Sequence, residues 1–126
     1  KNITLVGAGG SNAFALAEDG TLYSWGFSVD GQLARLTDEQ MDPNPTPVDF
    51  FKDRQIQRIK HGGGHTLVQL EDGLYSFGHG GRGRLGHGNE ESANTPKKIE
   101  FFKNMNVVNF TCGMDSSFVV AEDTED

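Results

Sequence analysis

Glycine and histidine are concentrated in the stretch GLYSFGHGGRGRLGHG, residues 73–88, where backbone amides could bind a nucleotide phosphate. Residues 78–83 and 81–86 both satisfy the pattern G-x-G-x-x-G, directly after an apolar, strand-like run. A dinucleotide loop needs a helix behind the glycines, so that N–H groups and the helix dipole meet the pyrophosphate. The residues after Gly86 are HGNEESANTP, which are typical of a loop. We therefore expect glycines that serve tight turns and close backbone contacts, and no cofactor.

The four histidines and the single cysteine are the next candidates for chemistry. A structural zinc site normally uses four closely spaced nitrogen and sulfur ligands, whereas only Cys112 could accompany the pairs His61/His65 and His79/His87. No basic neighbour that would activate the Cys112 thiol is evident from the sequence. The sequence therefore predicts neither a metal site nor a catalytic residue. It predicts that His65 packs in the core and forms a hydrogen bond with a neighbouring turn.

Charge and hydropathy exclude several classes of partner. The 11 basic and 18 acidic residues give a formal net charge of -7, which opposes binding to nucleic acid or to an anionic membrane. Arg82 and Arg84 are therefore expected to project from a turn into solvent. The sequence contains no run of about 18 apolar residues, so no membrane span is predicted. A lone cysteine cannot form an internal disulfide, which favours an intracellular location, cytoplasmic or nuclear.

The elements that must position these residues repeat along the chain. NAFALAEDGTLYSWG at 12–26 aligns with HTLVQLEDGLYSFG at 65–78, with a one-residue gap after the Asp-Gly pair. CGMDSSFVVAED at 112–123 aligns with the first half of the same unit. The sequence therefore predicts one partial repeat domain over 1–126, with repeats at about 3–55 and 56–106 and a half repeat at 107–126.

Each unit contains short apolar runs separated by turn signals. Along each unit, the first apolar run ends at a glycine cluster, and the second ends at an Asp-Gly or Glu-Asp pair, which signals a hairpin. The third run is Leu22–Trp25 in the first unit and Leu74–Phe77 in the second. A shorter fourth strand is expected around Leu33 or Leu85, and residues 37–44 are expected to form a longer surface loop. Four strands in about 50 residues predict an all-β chain of antiparallel four-stranded propeller blades. Tyr23 and Trp25 are expected in the blade core.

Several spaced motifs recur in register and carry a family resemblance. GGGHT at 62–66, Asp72-Gly73, YSFG at 75–78, GRLGHG at 83–88 and Pro96 together resemble the regulator of chromosome condensation repeat. The resemblance implies a β-propeller, typically of seven blades, whose sequence repeats are out of phase with the blades. The first unit departs from the pattern, since Asn12 replaces the histidine and Ala34-Arg35-Leu36 replaces Gly-His-Gly.

The resemblance and the absence of catalytic motifs favour a non-catalytic protein-interaction scaffold. Variable loops on a rigid ring concentrate binding residues. The alternative, implied by the founding member, is a guanine-nucleotide exchange factor for a small GTPase. Light sensing, known in a plant member, requires clustered tryptophans, and this chain has Trp25 alone. The candidate contact residues are Phe27, Ser28, Val29, Asp30, Asp38, Glu39, His79, Arg82, Arg84, Asn89 and Glu90.

The open ends of such a segment imply further partners. Two and a half units leave sheet faces and strand edges without neighbours, and repeat proteins need neighbours to cover them. We expect the remaining blades of a ring to supply this cover. They would come from the same polypeptide or, as the less favoured alternative, from other copies of the chain.

Overall fold

The computed structural model describes residues 2–8 and 12–123, which are mostly β-strand. Three short 3-10 turns, Asp49–Phe51, Gly81–Gly83 and Glu100–Phe102, lie between strands. The strands of the described residues are β1 (Ile3–Ala8), β2 (Asn12–Ala17), β3 (Leu22–Phe27), β4 (Met41–Pro47), β5 (Arg58–His61), β6 (His65–Leu70), β7 (Gly73–Gly78), β8 (Ala93–Lys98), β9 (Met105–Cys112) and β10 (Ser117–Asp123).

The strands form three antiparallel sheets. The first sheet has the order β1-β2-β3-β4, the second has the order β5-β6-β7-β8, and the third pairs β9 with β10. The first strand of the second sheet, β5, contacts both β1 and β9. The sheets therefore lie side by side with their first strands together, as blades do around an axis. The predicted all-β fold with four-stranded antiparallel blades is confirmed.

The acidic-glycine signals form the expected hairpins. β2 and β3 pair from Asn12 opposite Gly26 to Leu16 opposite Leu22, and β6 and β7 pair up to Leu70 opposite Gly73. Gly20 has φ +92°, a conformation that costs glycine little. The Glu-Asp hairpin signal of the half repeat, Glu122-Asp123, lies at the end of β10, and the residues after it, 124–126, lie outside the described residues.

The position predicted for the fourth strands is wrong. Leu33 and Leu85 lie in buried turns, where their carbonyl oxygens accept hydrogen bonds from the Ser24 and Ser76 hydroxyls at 2.8 and 2.7 Å. The fourth strands follow later as β4 and β8, so residues 41–44 of the expected surface loop are strand. The apolar leucine suggested a strand, but it fills the core from a turn instead.

Aromatic side chains fill the first joint, the interface between the first and second sheets. Phe14 lies 4.9 Å from His61 and 5.7 Å from Phe77, measured between ring centroids. Burial of one phenylalanine side chain contributes roughly 1.5–3 kcal/mol, so this joint holds the two sheets as one unit. The buried members of the joint are Phe14, Leu22, Ala34, Val48, Phe51, Val68, Leu70, Tyr75 and Phe77.

The second joint, between the second and third sheets, is smaller. Its buried members are Leu67, Leu74, Ile99 and Phe110, with Phe102, Val107, Cys112 and Val119 packed against them.

Tyr75 and Phe77 are buried as expected for blade core, whereas Tyr23 and Trp25 of the first sheet are only half-buried. Cys112 is likewise half-buried rather than fully enclosed.

Candidate functional site

Antiparallel pairing gathers the candidate loops at one end of the sheets. Successive connections of such a sheet lie at opposite ends, so the β1–β2 and β3–β4 connections share one end. We call this end the loop rim and define it as residues 28–40, 62–64, 79–92 and 113–116. The opposite end, the connector rim, comprises residues 18–21, 48–57, 71–72 and 99–104. Every candidate contact residue lies on the loop rim or, for Phe27, at the end of β3 beside it.

Most candidates are available to a partner. Phe27 and Val29 are exposed apolar side chains, and 63% of Val29 is accessible to solvent. The loops also expose Asp38, Glu39, Arg82, Asn89 and Glu90, while Ser28, Asp30 and His79 are half-buried. The structure therefore brings ten of the eleven candidates into positions from which they could touch a bound protein.

Arg84 is the exception, and the prediction that it projects into solvent is wrong. Its side chain is 7% exposed. Its guanidinium donates to the Gly81 carbonyl at 2.8 Å and to the Met114 carbonyl at 3.3 Å, and it forms an ion pair with Asp115 at 3.3 Å. A buried charge needs such partners because desolvation is costly. Arg84 therefore joins the loops of the second and third sheets instead of offering a contact surface.

A second contact between polar side chains joins the loops of the first and second sheets. Nδ1 of His79 lies 3.7 Å from a carboxylate oxygen of Asp30. Beside this pair, the backbone of Gly31 passes so close to β8 that an added Cβ would lie 2.4 Å from the Ala93 carbonyl oxygen. Gly31 has φ +84°, so glycine is required there by both conformation and space. The loop rim is thus anchored across both joints.

The exposed charge of the loop rim is predominantly negative. The acidic members are Asp30, Asp38, Glu39, Glu90, Glu91 and Asp115. Arg82 is exposed as predicted, but its guanidinium lies 3.9 Å from Asp115. Its backbone N–H donates to the Glu90 carboxylate at 2.9 Å. A partner that meets this surface therefore meets negative potential, which favours a complementary basic face and faster encounter.

Two serine–histidine pairs resemble catalytic pairs but have the wrong proton arrangement. The Ser76 hydroxyl donates to the Leu85 carbonyl at 2.7 Å, so it accepts from His87 Nε2 at 2.9 Å. The Ser117 hydroxyl likewise donates to the Arg84 carbonyl at 2.8 Å, and its oxygen lies 2.9 Å from His65 Nε2. Neither hydroxyl directs its proton at a histidine, as a nucleophile would need to do.

Burial controls the titration of these groups. Desolvation lowers the pKa of His87, and it lowers the pKa of His65 with a further contribution from the Arg84 charge. Burial also raises the pKa of the Cys112 thiol, which disfavours the reactive thiolate. The prediction that His65 packs in the core is confirmed, because the residue is buried. Its hydrogen bond, however, is to Ser117, the first residue of β10, and not to a turn.

The glycine-rich stretch forms turns. Residues 81–83 make one 3-10 turn, in which Arg82 has φ 62°, and Gly83, Gly86 and Gly88 all have positive φ. An added Cβ at Gly80 would lie 1.9 Å from the Glu91 carbonyl oxygen. The expectation of tight turns and close backbone contacts is confirmed.

Residues 2–8 and 12–123 contain neither a metal-binding cluster nor a membrane-spanning helix. No group of three or more histidine, cysteine or acidic side chains is arranged there to hold a metal ion. No helix in this part of the chain has the length and apolar character needed to cross a membrane.

Two residues that shape the loop rim were not predicted from the sequence. Asp115 holds Arg84, as described above. Arg35 donates to the Ser24 hydroxyl at 3.1 Å and to the Asp42 carboxylate at 2.9 Å, occupying the place that His87 takes beside Ser76. Arg35 and His87 align in the two repeats, so this equivalence could have been found from sequence. The pairing of Asp115 with Arg84 could not have been found from the sequence.

Comparison with known proteins identifies the repeat. A family model described as the regulator of chromosome condensation (RCC1) repeat matches residues 19–69 and 71–120, and a second model of that repeat matches residues 3–32. The chain is 32% identical to the ultraviolet-B receptor UVR8 of Arabidopsis thaliana, over 99% of this chain and 29% of the receptor. It is 33% identical to the human E3 ubiquitin-protein ligase HERC2, over 86% of this chain and 2% of the ligase.

Solved structures show the same fold. Human WBSCR16 matches with a TM-score of 0.80 at 22% identity, over 98% of this chain and 32% of that protein. Prp20p from Saccharomyces cerevisiae matches with a TM-score of 0.79 at 21% identity, with the same coverage of 98% and 32%. The chain thus spans about a third or less of each protein described here.

Proposed function

Because this chain belongs to the regulator of chromosome condensation (RCC1) repeat family, we propose that it is a non-catalytic protein-interaction scaffold whose partner docks on the loop rim. The observation that carries this proposal is the gathering of ten exposed or half-buried candidate residues on one rim. The relatives include a receptor and a ubiquitin ligase, so the repeat serves proteins of different activities. Binding is the function that such proteins can share.

Rigidity supports the same proposal. The Arg84–Asp115 and His79–Asp30 pairs tie the three loops together, and Gly31 is packed against β8. Loops that are already ordered lose less conformational entropy when a partner binds. The exposed Phe27 and Val29 offer apolar contact area inside an acidic surround. We infer a partner that presents a basic face with an apolar centre.

The second candidate function is exchange of guanine nucleotide on a small GTPase. Prp20p has binding properties toward Gsp1p and histones, which is the observation that favours this alternative. Exchange needs no catalytic acid or base, because the exchange protein only binds the nucleotide-free GTPase better than the loaded form. A GTPase would be the loop-rim partner in that case.

Assembly and location are parts of the same proposal. We place the chain within a ring of RCC1-type blades, seven by analogy with the family, completed by the same polypeptide or by other copies. We also place it in the cytoplasm or nucleus, in line with its single cysteine. It needs no metal or other cofactor for binding.

Capture with matched variants tests the scaffold proposal. Three baits are compared: the wild-type chain, the loop-rim variant V29S/D38A/E39A and the connector-rim variant D49A/K52A. Every substitution in the two variants alters an exposed side chain. A partner retained by the wild type and the connector-rim variant but lost by the loop-rim variant supports the proposal. Equal loss in both variants contradicts it. Release of labelled GDP from a panel of small GTPases separates the alternatives, since acceleration identifies an exchange factor.

A further inference from the structure

A groove of about 340 Å³ runs between a loop of the first sheet and the last strand of the second sheet, and we call it the inter-sheet groove. One wall is formed by residues 28–31, and the other is formed by residues 92–95 and Lys97. The two walls meet where the backbone of Gly31 approaches β8, since an added Cβ there would lie 2.5 Å from Asn94 Cα. Both walls belong to complete four-stranded sheets or their loops, so this chain by itself forms the groove.

A carboxylate lies between the two walls. One oxygen of Asp30 is 3.7 Å from His79 Nδ1, and the same nitrogen is 3.4 Å from the hydroxyl of Ser92 on the opposite wall. The Asp30 side chain keeps 40% of its surface accessible to solvent. No lysine or arginine of residues 2–8 and 12–123 forms an ion pair with it. The groove therefore holds an anionic group that a cation from outside can reach.

Apolar contact area lies beside this carboxylate. Val29 lines the first wall and is 63% exposed, and the half-buried Ala93 lines the second wall. The residue of the second unit that aligns with Val29 is Gly81, so the repeat fold does not require an apolar side chain at this place. Lysine and arginine place an aliphatic stem on apolar surface while their charged end contacts polar groups. The lining of the groove suits such a side chain.

Further negative charge adjoins the first wall. The backbone N–H of Ser28 donates to the Gln40 carbonyl at 3.0 Å, and the Ser28 hydroxyl donates to the Glu39 carbonyl. The segment that carries the exposed Asp38 and Glu39 therefore runs directly beside the groove. Lys97, on the second wall, is the only positively charged residue that lines the groove. Its charge opposes the entry of a second cation.

From these observations we propose that the inter-sheet groove binds one lysine or arginine side chain of a protein partner. The aliphatic stem lies on Val29 and Ala93, and the cationic end pairs with Asp30. Neighbouring basic residues of the same partner segment lie near Asp38 and Glu39, where charge complementarity favours them. This site rests on the proposed function, because residues 28–31 and Ser92 belong to the loop rim.

A short peptide tests the groove directly. The probe is a fluorescein-labelled, alanine-based peptide with two arginine residues, and its matched control carries citrulline in place of both arginines. Citrulline has nearly the shape of arginine without its charge. We expect saturable binding of the arginine peptide to the 126-residue chain and weaker binding of the citrulline peptide. Changes in amide chemical shift should be concentrated in residues 28–31 and 92–97.

Three variants give the charge a position. D30N should weaken binding of the arginine peptide about threefold or more, because the ion pair in the groove is lost. The control D49N makes the same change at an exposed carboxylate of the connector rim and should leave binding unchanged. K97Q should strengthen binding about twofold, because it removes the opposing positive charge. Misfolding does not produce a gain in affinity, so K97Q tests the groove even if D30N fails to fold.

Four results would overturn the proposal. Equal effects of D30N and D49N would show that only net charge matters. Equal binding of the arginine and citrulline peptides would show that the cation is not recognised. Absence of arginine-peptide binding at millimolar concentration would reject the site, and so would a K97Q variant that binds no better than the wild type.

The capture experiment separates this site from the proposed function. If the loop-rim variant loses the captured partner while D30N retains both partner and peptide, the groove is rejected and the scaffold proposal stands. If the loop-rim variant retains the partner while peptide binding depends on Asp30, the groove is supported and docking on the loop rim is contradicted.

Discussion

The imidazole of His61 is stacked on the ring of Phe14 across the first joint, with centroids 4.9 Å apart and planes inclined by 12°. On the same side of the joint an added Cβ at Gly7 would lie 2.3 Å from His61 Nε2, so glycine leaves the space that the ring fills. Nδ1 lies 3.2 Å from the Thr66 hydroxyl, while Nε2 is buried and has no hydrogen-bond partner among residues 2–8 and 12–123. A titratable ring therefore forms part of the packing between two sheets.

Acid should destabilise the first joint through His61. Burial lowers its pKa from 6.5 to about 4, so the imidazole is neutral in both the folded and unfolded chain above pH 6.5. As the pH falls from 6.5 toward 4, the unfolded chain binds a proton that the folded chain excludes. Stability is lost across that window, by up to about 3 kcal/mol from this group. Urea unfolding at a series of pH values measures the loss.

The variant H61Q should be less stable at neutral pH but should show a flatter dependence on pH between 6.5 and 4. Its control is R58Q, which alters an exposed side chain on the same strand and should keep the wild-type slope. An H61Q slope equal to that of the wild type would show that another group titrates.

Gly86 and Ile99 should be energetically coupled. Gly86 has φ +77°, and a Cβ there would lie 3.3 Å from Ile99 Cγ2. The aligned residues of the first unit are Ala34, with φ 59°, and Val48, which has one methylene fewer than isoleucine. We expect G86A to cost about 1–2 kcal/mol from backbone strain and crowding. We expect I99V to cost less in the G86A background than in the wild type, where it costs about 0.5–1.5 kcal/mol. A double-mutant cycle from urea unfolding measures the coupling, and strict additivity would argue against this contact.

Loss of the Arg84 side chain should loosen the second joint. R84M keeps the bulk of the side chain but removes its hydrogen bonds to the carbonyls of Gly81 and Met114. We expect a cost of about 1.5–3 kcal/mol, because hydrogen bonds from a charged group contribute about that much to stability. D115N should cost less than about 1 kcal/mol, since the Asp115 side chain is half exposed. Hydrogen exchange at 113–116 should speed up in R84M, and equal costs for R84M and D115N would contradict this account.

The acidic loop rim should govern the association rate of its partner. Charge reversal by D38K/E39K should slow association and reduce its dependence on salt, while dissociation should change little. The double variant E71K/D72K on the connector rim is the control, since it makes the same charge change on the opposite end. Surface plasmon resonance between 50 mM and 300 mM salt provides the measurement. Identical behaviour of the two variants would show that only net charge matters.

The short-range features of the fold followed from the sequence alone. Repeats at a spacing of about 52 residues predicted the recurring sheets, and the acidic-glycine pairs predicted the hairpins at 17–21 and 70–73. These features depend on residues that are close in the chain, where local conformational preference decides the outcome. The candidate site could therefore be predicted from the sequence as a set of loops. That these loops lie together on one rim became known only from the order in which the strands pair.

Only the tertiary structure decided the roles of Arg84, Leu85 and Phe101. Arg84 follows glycines, as solvent-facing arginines often do, but the carbonyl of Met114 and the carboxylate of Asp115, about thirty residues away, enclose it. Leu85 is apolar as in a strand, yet the Ser76 hydroxyl holds it in a buried turn. Phe50 and Phe101 occupy matching places in the sequence, yet among the described residues Phe50 packs against Tyr75 of the next sheet whereas Phe101 is exposed. Burial is a property of neighbours in space, which a pattern within one unit does not contain.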